Sequence, residues 1–429
     1  MFNFLLYVPM AQIAHAVGQN RHREVKSRVM FALLTGVMLG VICTACLCWS
    51  VLGWCLVGDM NNCSTKSDSF VLQMMNIAGD VRPLAVFYFW GRIPSVLLVF
   101  VNRVCTGILV GKQRVQLVTS INVLVSVLDV FGNATVLLLR QNQGTIFQAG
   151  LATSAATLVG TGIILPLSIF LTAPGAEEKK HGNAPTAFQQ EEEEHPFSVR
   201  EFISSSLNMI VRSILLQGAM YALSILASRM GTTVLAANQV VMQLWTLISF
   251  CCDGFADVGT MVGARLLGAG KHEQVLVLTR RLFFFAVMAG AACGSFLLLF
   301  QDYIIDSFTA TDHTDDTQTT LRSVWMLTAL MQPINALVFV SDGLLFAHQA
   351  FRFIRNLMLI GVLGIFLPTL WLGYSTTHTL LALWVAKSFL SSWRCLAAFY
   401  FCWKYQREHC DESFSGKDMV HTERSALLP

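Results

Sequence analysis

Ala14-His15-Ala16-Val17-Gly18-Gln19-Asn20-Arg21-His22-Arg23-Glu24-Val25 is answered later in the chain by Ala264-Arg265-Leu266-Leu267-Gly268-Ala269-Gly270-Lys271-His272-Glu273-Gln274-Val275. Ala14, Gly18, His22 and Val25 return at one constant offset (264 − 14 = 250). The same offset carries on through Val37 and Val287, Met38 and Met288, and Gly40 and Gly290 (290 − 40 = 250), while Arg21 and Lys271 keep a base in register. The stretch reads as a helix end, a basic loop and the start of the next helix. Repetition of such a unit marks a transporter built from two like halves, with the substrate site where they meet. The helical material at Phe202 to Val240, moved back by the same offset, falls before Met1. The first half is therefore expected to lack its opening helix.

Composition places the chain in a membrane. Of its 429 residues 54% are hydrophobic and 13% charged, and the mean hydropathy is +0.58, well outside soluble averages. Apolar runs lie at 1–17, 29–57, 80–110, 115–139, 147–172, 203–228, 234–264, 280–301, 319–346, 357–373 and 380–403. These make about eleven spans of a hydrocarbon core about 30 Å thick. The first run has neither a basic leader nor a small-residue cleavage site, so it does not read as a signal peptide.

Lys and Arg set the orientation. Arg21, Arg23, Lys26, Arg28, Lys112, Arg114, Lys179, Lys180, Arg200, Arg265, Lys271, Arg280, Arg281, Arg352 and Arg355 fall in one set of loops, with the tail residues Lys404, Arg407, Lys417 and Arg424. The opposite set holds Lys66, Arg140, Arg229 and Arg322. The first set and the C-terminus are expected to face the cytosol. The halves are then an N-terminal lobe over 1–172 with about five helices and a C-terminal lobe over 201–405 with six. Between them lies the cytosolic linker 173–200, with Glu191 to Glu194, and after them a polar tail, 406–429, both read as disordered.

Chemistry other than transport finds little here. The twelve cysteines show no paired Cys-x-x-Cys units and no accompanying His cluster, so no metal site is expected. No phosphate-cradling Gly-rich loop supports ATP-driven pumping, and no nucleophile–base pair is legible. Cys55 and Cys63 flank an outer loop and pair there if the compartment is oxidising. In that loop Asn62-Cys63-Ser64 is a glycosylation acceptor, whereas Asn133-Ala134-Thr135 lies within a span and is expected to stay unmodified.

The informative residues are polar ones inside apolar spans, which are costly there and face a cavity or a partner. They are Arg212, Asn238, Gln239, Gln243, Asp253, Asp257, Gln332, Asn335, Asp342, Lys387 and Arg394 in the second half, and Arg92, Asn122 and Asp129 in the first. Arg212 and Asp253 lie roughly 14 and 16 Å in from the cytosolic ends of neighbouring antiparallel helices, so they are expected to meet. Such a pair either neutralises two buried charges or switches when its carboxylate takes up a proton. Asp342 and Arg394 sit nearer the cytosolic ends and are expected to anchor loops.

At these residues the chain resembles the multidrug and toxic compound extrusion (MATE) transporters, specifically the DinF-like branch. The likeness runs from Ser204 to Arg281, through Ala227-Ser228-Arg229-Met230-Gly231, Leu235-Ala236-Ala237-Asn238-Gln239-Val240, Gln243-Leu244-Trp245, Asp253-Gly254 and Gly263-Ala264-Arg265-Leu266-Leu267-Gly268-Ala269-Gly270. Gln332-Pro333-Ile334-Asn335-Ala336, Phe339-Val340-Ser341-Asp342-Gly343 and the Trp384 to Arg394 spacing resemble the family's later helices. In the first half Leu128-Asp129 resembles the end of the family's Asn-x-x-Leu-Asp pattern, with Val125 in place of the Asn, and the arginine-glycine element is blurred around Gly107 to Gln113.

The resemblance implies an all-α polytopic membrane protein of two pseudo-symmetric lobes with a central cleft. It also implies a secondary active transporter, not an enzyme, that exports organic solutes by alternating access. Coupling is to H+ or Na+, with H+ favoured by the branch; no cofactor is expected. Drug-like cations and organic anions are both open as substrates. Candidate coupling and cleft residues are Asp253, Arg212, Asp129, Asn238, Gln239, Gln243, Gln332 and Asn335. The alternatives are a flippase of lipid-linked substrates on a related fold, or a non-transporting helical membrane receptor or enzyme. The implied partners are the bilayer and a small organic substrate, with no nucleic acid, and the protein is read as a monomer. Glu423, Leu427 and Leu428 have the spacing of an acidic dileucine signal read by a sorting adaptor. That signal points to an endolysosomal or vacuolar membrane; without it the plasma membrane is the address.

Overall fold

The apolar runs become helices, because the backbone polar groups of a lipid-embedded segment must bond to one another. A computed structural model describes residues 3–57, 82–139, 145–171, 198–309 and 315–425, and among these no strand occurs. The chain divides into two compact units, Phe2–Ser198 and Val199–Pro429.

The N-terminal unit holds α1 (Phe4–Gly18), α2 (His22–Val57), α3 (Arg82–Gly111), α4 (Val115–Leu139) and α5 (Thr145–Phe170). Helix α3 is its centre and packs on α1, α2 and α5, while α4 leans mainly on α5. Helix α1 is apolar all round and accordingly buried, with Val8, Met10, Ile13 and Ala14 fully enclosed. Helix α4 presents Val123, Val127, Val130 and Phe131 outward, as a lipid-facing helix can.

The C-terminal unit holds α6 (Val199–Arg229), α7 (Thr232–Gly268), α8 (His272–Leu299), the short α9 (Gln301–Thr309), α10 (Asp315–Leu330), α11 (Gln332–Ala347), α12 (Phe351–Leu359), a π-helical segment (Ile360–Phe366), α13 (Leu367–Thr377) and α14 (Leu380–Ser425). Helices α10 and α11 form one span bent by 51°. Pro333 sits at the bend, where it has no N–H to continue the ladder. The π segment also has local causes. Gly361 lies under Trp393, whose Nε1 donates to Leu357 O at 3.1 Å, and Pro368 follows.

Over their described residues, all eleven apolar runs fall on helix. Among the described residues eight helices are long and apolar enough to cross a membrane, or nine with the bent pair. The two runs outside that number are α1, with 15 residues, and the apolar first part of α14. The tail expected to be disordered continues α14 as helix to Ser425. Its early residues, Lys404 to Glu412, contain no Gly or Pro to stop a helix already under way.

The repeat is visible in the backbone. Helix α1 ends at Gly18 and α7 at Gly268 (268 − 18 = 250), and α2 and α8 open at His22 and His272. Between them Asn20 (φ 58°) and Gly270 (φ 68°) both take the left-handed conformation. Asn20 N donates to Val17 O and Arg21 N to Ala16 O; Gly270 N donates to Leu267 O and Lys271 N to Leu266 O. This is the Schellman arrangement, which satisfies the last carbonyls of a helix. The same turn joins α3 to α4 at Gln113 (φ 63°) and α11 to α12 at Gln349 (φ 53°). Each unit thus uses it twice. Glycine packing repeats as well. A Cβ on Gly107 of α3 would stand 2.5 Å from Leu6 O, and one on Gly343 of α11 would strike Ala256 O. Leu6 and Ala256 are again 250 apart (256 − 6 = 250), so the element that looks blurred in sequence near Gly107 keeps its packing role.

Candidate functional site

Helices α6, α11 and α14 bring three charges together inside the C-terminal unit. Asp342 of α11 takes Nη2 of Arg212 (α6) and Nη2 of Arg394 (α14), the latter at 2.5 Å, both on Oδ2. All three side chains are nearly closed to solvent, at 8% exposed for Arg212 and 11% for Asp342 and Arg394. Arg212 also lies over the Phe346 ring at 5.3 Å, one turn further along α11. This corrects two expectations. Arg212 pairs with Asp342, not Asp253, and Asp342 and Arg394 are buried charges rather than loop anchors. Depth along two helix axes places residues at the same level. It leaves open which faces meet, and Asp253 lies only half-buried on α7.

About two turns away along α14, Lys387 occupies a second buried position at 4% exposure. Its Nζ lies 3.9 Å from the Trp245 ring centroid and 4.2 Å from that of Trp384. Trp384 and Lys387 share a helix face because they are three residues apart. Trp245 comes from α7. Its orientation is braced by Phe339 of α11, 6.3 Å away between centroids. Asn238, also on α7, accepts the Trp384 Nε1–H on Oδ1 at 3.1 Å. Asn238 is therefore a positioning residue for the indole, itself fully enclosed.

Lys387 borders a narrow cavity of about 10 Å³, room for about one water, shared by α7, α10, α11 and α14. Gln332, Asn335, Thr328, Ser388 and Ser391 give it a polar lining beside the two indoles. Gln332, 1% exposed, spends its Nε2 on Thr328 O at 2.8 Å. Its Oε1 is buried without a hydrogen-bond partner, as are Trp245 Nε1 and Asn238 Nδ2. Sequence reasoning chose Asn238, Gln332 and Asn335 and noted Lys387, but missed that Trp384 and Trp245 enclose it. The signal was Trp384-x-x-Lys387-x-x-x-Ser391-x-x-Arg394, a single helical stripe.

The remaining sequence candidates lie elsewhere. Gln239 and Gln243 are exposed on α7 and do not enter this cavity. Asp129 belongs to the N-terminal unit, half-buried on α4, where its Oδ1 and main-chain O accept the Asn133 amide at 3.0 Å. Asn133 also reaches Thr153 Oγ1 at 3.3 Å, so its amide is committed inside the helix pair. Asn122 faces outward on the same helix, and Arg92 sits over Tyr88 at 6.0 Å. Asn62, Cys63, Leu427 and Leu428 lie outside the described residues, as do the side chains of Cys55 and Glu423.

Comparison with known proteins places this architecture. The MatE family model matches residues 209–372, which include Arg212, Lys387's neighbour Trp245, Gln332, Asn335 and Asp342. Protein DETOXIFICATION 42 of Arabidopsis thaliana is 27% identical over 201 residues, covering 46% of this chain and 38% of that protein. DNA damage-inducible protein F of Escherichia coli is 26% identical over 197 residues, covering 44% of this chain and 39% of that protein. The alignments thus span about two fifths of the length of these curated relatives. A crystal structure of MATE in the bent conformation matches with a TM-score of 0.74 at 17% identity, over 96% of this chain and 85% of that one. A MOP superfamily transporter from Pyrococcus furiosus, described as having a binding pocket of reverse polarity, matches with a TM-score of 0.74 at 17% identity, over 94% and 83%. The MatE match thus lies within the C-terminal unit, and the chain is an integral membrane protein that shares the fold of the MATE structures.

Proposed function

We propose that this protein is a secondary transporter of the MOP superfamily that exports an organic solute by cation-coupled antiport and alternating access. The observation that carries the reading is the doubled Schellman hairpin within each unit. It makes the molecule two copies of one helical plan, which is how transporters with alternating access are built. The buried polar groups of the C-terminal unit add to it, since intramembrane charges mark substrate and ion pathways.

H+ is the favoured coupling ion and Asp253 the acid we assign to it. Asp253 is half-buried within a span, where a carboxyl group can exchange a proton with water. Asp342 is unsuited to the task, because neutralising it strands two guanidiniums at once. The acidic dileucine spacing at Glu423, Leu427 and Leu428 favours an endolysosomal or vacuolar membrane, with the tail in the cytosol.

The test is uptake into vesicles under an imposed pH gradient or an imposed Na+ gradient, offering in turn an organic carboxylate and a lipophilic cation. Movement of one of them driven by the pH gradient supports the reading. Movement driven by Na+ alone keeps the transporter and replaces the ion. Gradient-independent movement of a lipid-linked substrate, with neither solute carried, would make the protein a flippase.

A further inference from the structure

We propose that Lys387 is a proton-exchanging group of the C-terminal unit, with one water held between Trp245 and Gln332 as the acceptor of its proton. As a step of coupling this rests on the transporter reading; as a titration it stands on the site alone. Arg212, Asp342, Arg394 and Lys387 are charged side chains nearly closed to solvent. Three are basic and one is acidic, and the two arginines share the acid. A guanidinium keeps its proton in a protein, and neutralising Asp342 would strand both arginines. Lys387 is different. Among the described residues no carboxylate pairs with it; its Nζ lies instead over the Trp245 and Trp384 rings, 3.9 and 4.2 Å from their centroids. It can therefore lose its charge without breaking an ion pair, and lysines buried in this way are the ones that act as bases.

The charges on the elements packed around Lys387 stand apart from it. On α14 itself Arg394 lies seven residues on (394 − 387 = 7), about 10 Å along the axis. On α11 Asp342 lies seven residues beyond Asn335 (342 − 335 = 7), about 10 Å toward the same end, and is held by Arg394 and by Arg212 of α6. On α7 Asp253 lies eight residues beyond Trp245 (253 − 245 = 8), about 12 Å along the axis, with Asp257 a further turn away. On α10 the nearest charge is Arg322, six residues before Thr328 (328 − 322 = 6) and about 9 Å along the axis, where it pairs with Asp302. Arg352 and Arg355 stand in the opening turns of α12, with Arg355 bonded to Asn208 and Asn356. The π segment and α13 carry no charged side chain, and Tyr374 is the titratable group of α13. No fixed charge at its own level therefore holds Lys387 in one protonation state.

The cavity beside Lys387 has room for about one water, and its lining supplies that water's partners. Gln332 spends Nε2 on Thr328 O, which leaves Oε1 as a buried acceptor without a partner. Trp245 Nε1 is a buried donor without one. The Ser388 hydroxyl does not compete, since it donates to Trp384 O at 2.9 Å. A water that accepts from Nζ and from Trp245 Nε1 and donates to Gln332 Oε1 meets three groups, as buried waters do. The exchange is then a plain proton transfer. One Nζ–H bond breaks, its electron pair stays on the nitrogen as a lone pair, and the proton goes to the water oxygen, which carries it off as hydronium. Uptake runs the same step backwards. The neutral amine accepts a hydrogen bond from the water that replaces it, so neither form leaves Nζ bare. The ammonium attracts both indole faces, one on α7 and one on α14, and the neutral amine does not. Loss of the proton therefore loosens the grip of α14 on α7.

The test is indole fluorescence against pH on full-length protein in nanodiscs, because the charge on Nζ acts on two indoles at once. Wild-type protein is expected to show a reversible one-proton step in emission. Lys387→Arg keeps a cation over the rings but cannot release its proton, and Lys387→Met has neither; both should lack the step. In vesicles both should lose transport driven by a pH gradient at least ten-fold, whereas a merely structural lysine would be rescued by Lys387→Arg. Lysine labelled with carbon-13 at Cε gives a check on wild-type protein alone, which holds where a variant fails to fold: one lysine signal should titrate with the midpoint of the emission step. A wild type without the step, a step that no lysine signal follows, or a Lys387→Arg protein that keeps the step overturns the proposal. Wild-type transport and pH dependence in Lys387→Arg overturn its coupling role and leave the transporter reading standing. A step that behaves as described in a protein that carries no solute under any gradient leaves the titration standing and refutes the transporter reading.

Discussion

Asp342→Asn is expected to cost the protein more stability than any other single polar change in the described spans. The substitution keeps the size of the side chain and removes its charge. In the native unit Oδ2 of Asp342 serves Arg212 and Arg394 at once, with side-chain exposures of 8 to 11% across the three. Removing one partner of a buried pair costs about 3–5 kcal/mol, because the other charge stays behind uncompensated. Here two guanidiniums stay behind, and Nε of each is already buried without a hydrogen bond, so the upper end, about 5 kcal/mol, applies. At about 2–4 °C per kcal/mol for a unit of this size, the melting temperature should fall by about 10–20 °C. Helical circular dichroism of protein in nanodiscs, followed with temperature, reads it. Arg212→Met should cost less, since Arg394 keeps Asp342 paired. Asp253→Asn should shift the midpoint by no more than about 4 °C, as a change of about 1 kcal/mol does. An Asp342→Asn midpoint within about 3 °C of wild type, or an equal loss for Asp253→Asn, refutes the triad as the anchor of this unit.

Other outcomes follow from the same geometry. Gly343→Ala drives a methyl into Ala256 O and Gly107→Ala drives one to 2.5 Å from Leu6 O; each should destabilise by about 1–3 kcal/mol. Gly162→Ala, with nothing within 4 Å of its new methyl, should instead stabilise slightly, by up to about 1 kcal/mol. Gly270→Ala has open space but keeps φ 68°, so its loss of about 1 kcal/mol is backbone strain alone, readable as a small drop in the thermal midpoint. Asp253→Asn should reach the membrane, fold, and lose proton-driven transport; wild-type rate and pH dependence in the vesicle assay would remove it from coupling. Imaging of Leu427→Ala/Leu428→Ala should show the tagged protein leaving endolysosomal membranes for the cell surface, and an unchanged distribution discards the sorting motif.

The sequence made the helices and their repeat legible because both are local. A span needs only a long apolar run. The offset between Gly18 and Gly268 is written in identities that survive at a helix end. Which residues meet across helices was less legible. Arg212 and Asp253 share a depth, but pairing is settled by the rotation of each helix about its axis. The bend at Pro333 and the π segment at Ile360–Phe366 both change that rotation along a span. The cage around Lys387 was half legible, since Trp384 precedes it by three residues on one face. Trp245 arrives from α7, 142 residues away (387 − 245 = 142), and only the packing of α7 against α11 delivers it. Gln239 and Gln243 lie exposed on that helix, away from this cavity.

The four Schellman turns also fix where motion can begin. At Asn20, Gln113, Gly270 and Gln349 only three residues separate one helix from the next. The amides of each turn donate to carbonyls of the preceding helix, and its last carbonyl then starts the following one, as Arg21 O does for Val25 N. Such a joint has no slack for sliding. The paired rods it connects behave like tongs sharing a welded rivet: their far tips can spread, but their near ends cannot part without unwinding a turn of helix. Any reshaping of either unit is therefore a splaying of whole hairpins about these four rivets, largest at the ends remote from them.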